Sequence, residues 1–97
     1  MTSAEFLGQV KTALQADGVL LANTFKSTNF AKYEEATYQY VFGDIYESNI
    51  PSGNRIIIAG QRASALASKL PDSHQVPPSS AAVMTDKFSP ANALLIH

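Results

Sequence analysis

Asp17-Gly18-Val19-Leu20-Leu21-Ala22-Asn23, followed at a distance by Pro51-Ser52-Gly53-Asn54-Arg55-Ile56-Ile57-Ile58-Ala59, decides the fold. Val19 to Ala22 is apolar without alternation, which suits a strand covered on both faces, as in a parallel sheet, better than one with a wet side. Pro51 to Asn54 supplies turn chemistry ahead of the β-branched run Ile56-Ile57-Ile58. Ile45 to Asn49 lies just before that turn, so the two runs predict an antiparallel pair joined by a tight connection.

Outward from these strands the helices fall into place. Thr2 to Ala16 reads as an amphipathic helix: Thr2 and Glu5 make a capping box, Phe6, Leu7, Val10, Ala13 and Leu14 recur at helical spacing, and Asp17-Gly18 stops it. Asn23-Thr24-Phe25 ends the first strand. Phe30 to Phe42 predicts a second helix with Tyr33, Ala36, Thr37, Tyr40 and Val41 along its inner stripe, closed by Gly43. Gln61 to Leu70 predicts a third. Pro71 to Ser80 is rich in Pro and Ser and reads as an irregular connection, and Pro90 suits the first position of a terminal helical turn through Leu95. The expected architecture is α/β: a three-stranded partial sheet, one strand plus an antiparallel hairpin, with flanking helices. Residues 1–97 form one domain, with an α/β core over 1–70, an irregular connection over 71–89 and the terminal turn over 90–97.

At 97 residues the chain buries a modest share of its unfolded surface, which makes self-association an obvious source of added stability. Seven Lys plus Arg against eight Asp plus Glu, scattered, give no electrostatic footprint for nucleic acid or an anionic membrane. The absence of cysteine excludes disulfides and thiolate metal sites. No basic-then-apolar leader and no long apolar run is present, so the cytoplasm is the expected compartment.

Chemistry is sparse. No strand is followed by a glycine-rich turn, so nothing cradles a phosphate, a ribose or an adenosyl group. His74, in the Pro/Ser stretch, and His97 read as solvated, without the fixed partners of a metal ligand or general base. Glu34 and Glu35 are adjacent on a helix, point in different directions and read as a solvated face. Ser64, Ser68, Asp72 and His74 lack a nucleophile-elbow sequence to make a triad of them. Tyr33 and Tyr40 share a helical face and read as core, whereas Tyr38 falls off it and is a lesser candidate for an interaction surface. The ligand candidates are Asn23, at the carboxyl end of the first strand where open α/β sheets bind ligands, and Thr85 and Asp86, which either line that edge or cap the last turn. No catalytic residue and no metal ligand is assigned.

Thr2-Ser3-Ala4-Glu5-Phe6-Leu7 through Gly18-Val19-Leu20, Phe42 to Gly60 with its Pro51-Ser52-Gly53 turn, and Thr85-Asp86-Lys87-Phe88-Ser89-Pro90 together resemble the C-terminal part of the spermidine synthase family. The first segment is similar to the helix and fifth strand of that family, and the Pro-Ser-Gly turn to the link between its sixth and seventh strands. The last segment is closer to the Thr-Asp-Asp-x-x-Pro stretch of spermidine synthase-like proteins. The resemblance implies a Rossmann-like sheet equivalent to the C-terminal third of a class I S-adenosylmethionine-dependent methyltransferase fold. It also implies that the adenosyl-binding loops and the amine-deprotonating aspartate would precede Met1. No cofactor is therefore expected for this chain, and S-adenosylmethionine or its decarboxylated form for a full-length parent. The family's glutamine after the fifth strand is Asn23 here, an acidic residue two positions on is Phe25, and the tyrosine before the turn is Ile50. The expected function is that of a non-catalytic fragment that pairs into a homodimer. The alternative is a free-standing binding module with a ligand pocket at the subunit interface.

Overall fold

The computed structural model describes residues 3–14, 18–25, 30–50 and 53–85. Helix α1 (Ala4–Ala13) begins at Ser3, whose hydroxyl accepts from the Phe6 N–H at 3.1 Å. The cap is thus Ser3, one residue later than the predicted Thr2. Leu14 turns extended and ends the helix before the expected Ala16, its N–H still bonded back to Val10 and Lys11.

Strand β1 (Val19–Phe25) runs past Ala22 to include Asn23, Thr24 and Phe25, because β3 (Asn54–Gly60) offers seven successive partners from Val19↔Gly60 to Phe25↔Asn54. Helix α2 (Ala31–Phe42) closes at Gly43, whose φ of 80° lets its N–H reach the Gln39 carbonyl. Strand β2 (Tyr46–Asn49) and β3 form the predicted antiparallel hairpin. Helix α3 (Ala63–Ala67) is shorter than the expected Gln61 to Leu70.

The sheet has four strands among the described residues, all antiparallel, in the order β1-β3-β2-β4. This replaces the expected three-stranded arrangement in two respects. Val19 to Ala22 is not flanked by parallel neighbours: β1 is an edge strand bonded to β3, and Leu21 is 52% exposed. The stretch expected to be irregular supplies β4 (Ser73–Gln75), laid against β2 with Glu47 opposite His74. Ser48 Oγ donates to the Pro71 carbonyl at 2.6 Å and the Asn49 N–H to Asp72, so tertiary bonds place β4 where local sequence carries no strand signal. The terminal turn expected over 90–97 lies outside the described residues.

Helices cover both faces. Leu7 from α1 and Tyr38, Val41 and Phe42 from α2 pack with Ile45 and Val76 on the face that presents Leu20, Ala22, Ile57 and Ala59. Ala63 and Ala67 of α3 pack with Ile58, Val19 and Ile56 on the other. The tyrosines invert the expectation: Tyr38 is buried, 6.4 Å from the Phe42 ring, whereas Tyr40 is 72% exposed. Of the expected stripe, Ala36 and Thr37 are buried and Val41 packs against the core, whereas Tyr40 turns out and Tyr38 takes its place. An arginine on the sheet turns the acidic residues inward.

After β4 the chain lies along α2. The Gln39 amide donates to the carbonyls of Val76 and Pro77 and accepts from the Ser79 N–H at 2.9 Å. Further on, the Met84 N–H donates to Thr37 Oγ1 at 2.9 Å, and the Met84 carbonyl accepts from Ala4 at the start of α1. No helix among the described residues is long and apolar enough to cross a membrane.

Candidate functional site

Arg55 shares a sheet face with Ile57 and Ala59, since strand residues alternate sides, and its guanidinium is therefore carried into the core. Its side chain is 3% exposed. Burying a charge is tolerable only with partners, and Arg55 has five: Nε donates to Thr24 Oγ1 (2.8 Å), Nη1 to Glu35 (2.6 Å) and Glu47 (3.3 Å), Nη2 to the Ala31 carbonyl (3.0 Å), and Glu34 lies 3.7 Å from Nη2. His74 Nε2 extends the cluster from β4, 3.0 Å from Glu47 Oε1. The carboxyl end of β1, the first turn of α2, and strands β2 and β3 thus meet at one guanidinium, and β4 joins them through Glu47.

Three carboxylates share that one certain positive charge. Burial pushes the Glu34 carboxyl above the usual range; Arg55 pulls it down by less, and Glu35 pushes it up. Burial likewise raises the Tyr38 hydroxyl, helped by Glu34 and opposed by Arg55. A raised carboxyl is a feature of catalytic bases. Here it faces a guanidinium whose donors are already directed at protein oxygens, and no buried side-chain polar atom among the described residues lacks a partner. The arrangement can hold five elements together; it presents no group to a substrate. Glu34 and Glu35, expected on a solvated face, are members of this cluster. So is His74, half-exposed but paired.

The residues singled out from sequence are dispersed. Thr24 faces Arg55 and α2, so its neighbour Asn23 faces the α3 side of the sheet, exposed and opposite Ile56. Met84 is bonded to α1 and α2 on the other side, and Thr85, half-buried, follows it. Asp86 lies outside the described residues. Ser68 spends its hydroxyl on the Ala65 carbonyl, and His74 pairs with Glu47, so neither supports a triad. Arg55 was the residue to find: a charge in phase with Ile57 and Ala59 on a β-branched strand demands carboxylate partners.

The chain is similar to a polyamine aminopropyltransferase of Vibrio vulnificus (strain CMCP6), at 38% identity over 120 residues that take in 97% of this chain and 40% of that protein. It spans about 40% of the length of this relative, and corresponds to part of a spermidine synthase-like protein. The aligned stretch is longer than the chain's own 97 residues, so the relative carries residues inside it that have no counterpart here. No family model matches the chain, and no solved structure matches it.

Proposed function

We propose, on the premise that the chain matches part of a spermidine synthase-like protein, that it is a non-catalytic C-terminal portion of such a methyltransferase-fold enzyme and associates with a second copy in the cytoplasm. The observation that carries the reading is the mismatch of coverage: 97% of this chain against 40% of the relative. Aminopropyl transfer is displacement at a carbon beside a sulfonium, and needs the electrophile held in line and an amine stripped of its proton. The residues present do not fit an adenosyl group. Thr24, at the carboxyl end of β1, is engaged by Arg55, and the carboxylates there are already paired. A full-length parent would take S-adenosylmethionine or its decarboxylated form on residues outside this stretch.

Self-association is argued from β1. Its seven residues, Val-Leu-Leu-Ala-Asn-Thr-Phe, contain no charge and no proline, and they keep one unbroken register with β3, so there is no bulge. The charge, the proline and the bulge that guard an edge strand are thus missing from β1 itself. We place a second copy along this edge, across a two-fold axis.

Calorimetric titration of the whole chain with methylthioadenosine and S-adenosylmethionine tests the first part. No heat is expected, and saturable binding would overturn the non-catalytic reading. Sedimentation equilibrium at micromolar concentration tests the second: a dimer is expected, and a monomeric mass removes it.

A further inference from the structure

Between the C-terminal half of α2 and the chain following β4 lies a cavity of about 410 Å³. It is separate from the Arg55 cluster, which engages Ala31, Glu34 and Glu35 at the other end of the helix. Ala36 and Val76 form its base, 5% and 3% exposed, with half-buried Val83 beside them. Gln39 is also in the wall, but its amide is fully spent on Val76, Pro77 and Ser79. Tyr40 and Asp44 remain at the mouth, both exposed, and neither side chain makes a hydrogen bond or ion pair among the described residues.

The field at this mouth is negative. Asp44 stands just beyond the C-terminus of α2, where the aligned carbonyls contribute about half a unit of negative charge. The last turn of α2 has no basic residue, and no Lys, Arg or His lines the cavity. Lys11 reaches this end of the helix from α1 and donates to the Val41 carbonyl at 3.0 Å; its charge offsets part of this field but does not line the cavity. One carboxylate is too few hard oxygen ligands for a divalent cation. An anion would be repelled. The volume falls in the range of small-molecule sites, and the base is apolar and built of small side chains.

We propose that this cavity binds a small organic ammonium ion, its apolar body on Ala36, Val76 and Val83 and its charge between the Asp44 carboxylate and the Tyr40 ring. The ring face and the carboxylate act on the same cationic group, and both lose their purchase on a neutral analogue.

Phenethylamine, 2-phenylethanol and phenylacetate have the same body and differ in charge. Each is titrated into the ¹⁵N-labelled chain at pH 7 and low salt, with amide shifts followed. The amine should saturate and shift Tyr40, Asp44, Val76 and Val83; the alcohol should bind at least about fivefold more weakly, and the carboxylate weakest. Asp44→Asn should bring the amine to the level of the alcohol without lowering the melting temperature, since Asp44 bonds nothing and opposes the dipole of α2. The proposal is overturned if amine and alcohol bind alike, if the advantage of the amine survives Asp44→Asn, or if no amide around the cavity shifts.

Discussion

Replacing Arg55 by Met keeps an apolar stem of similar length on β3 and removes the guanidinium. The bonds to Thr24, Glu35, Glu47 and Ala31 go with it; the Glu35 side chain, 25% exposed, is left without a counter-charge, and Glu47, 13% exposed, keeps only His74. Stranding a buried charge costs about 3–5 kcal/mol; water reaches Glu35, so the lower end applies, about 3 kcal/mol. For 97 residues the whole stability is of order 5–15 kcal/mol, so the loss is a large part of it. At about 4–8 °C per kcal/mol the melting temperature should fall by roughly 12–24 °C. Urea unfolding followed by far-UV circular dichroism at pH 7 gives the number. Arg55→Lys retains the charge without the fork and should lose about half as much. Adding Glu35→Gln to Arg55→Met should restore part of the loss, because the stranded carboxylate disappears. A loss below about 1 kcal/mol with an unchanged denaturant slope would refute the reasoning: the cluster would then be incidental to the fold.

Glu34 gives a pH dependence. Its folded pKa is raised, so the folded state holds the proton more tightly; the contribution is full below the unfolded value and is lost as pH rises through the folded one. Glu34→Gln should therefore melt higher than the parent chain at pH 7, with the gap narrowing towards pH 4, and a gap independent of pH would contradict it. Gly60 has a φ of 113°, and a Cβ there would come within 2.6 Å of the Gly18 carbonyl oxygen, so Gly60→Ala should cost about 2 kcal/mol in the same unfolding assay. Gln39→Ala should speed hydrogen exchange at Ser79 and Met84 by about tenfold while the slowest amides of β3 keep their rates, because it frees the chain along α2 and not the sheet. Leu21→Lys places a charge beside the open edge of β1; sedimentation should show a monomer with unchanged far-UV dichroism.

The hairpin was legible because its signals are local: Pro51 to Asn54 are turn-forming residue types, and Ile56-Ile57-Ile58 tolerates little but a strand. The helical segments were legible for the same reason, apart from their ends. The phase of α2 was legible only in part: Ala36, Thr37 and Val41 face inward as expected, Tyr40 does not. Glu34 and Glu35 mark a wet face by composition, and only Arg55, some twenty residues away, turns that face inward and sends Tyr40 out. Strand β4 was hidden likewise, since Ser73-His74-Gln75 has no strand propensity and is drawn into the sheet by bonds to residues 48 and 49 and the pairing of His74 with Glu47. Asn23, expected at the carboxyl end of β1, lies two residues inside it, and the face its side chain takes depends on knowing which face Thr24 takes.

The two borders of the sheet are unlike. β1 offers seven residues, whereas β4 is three residues long with Pro71 and Pro77 close on either side. Two copies joined β1 to β1 would have only β4 left at each outer rim, too short and too hemmed by proline to template a further strand. Such a pairing would be self-limiting: it would close at two, and the continuous ribbon needed for a fibril would have no second growing end.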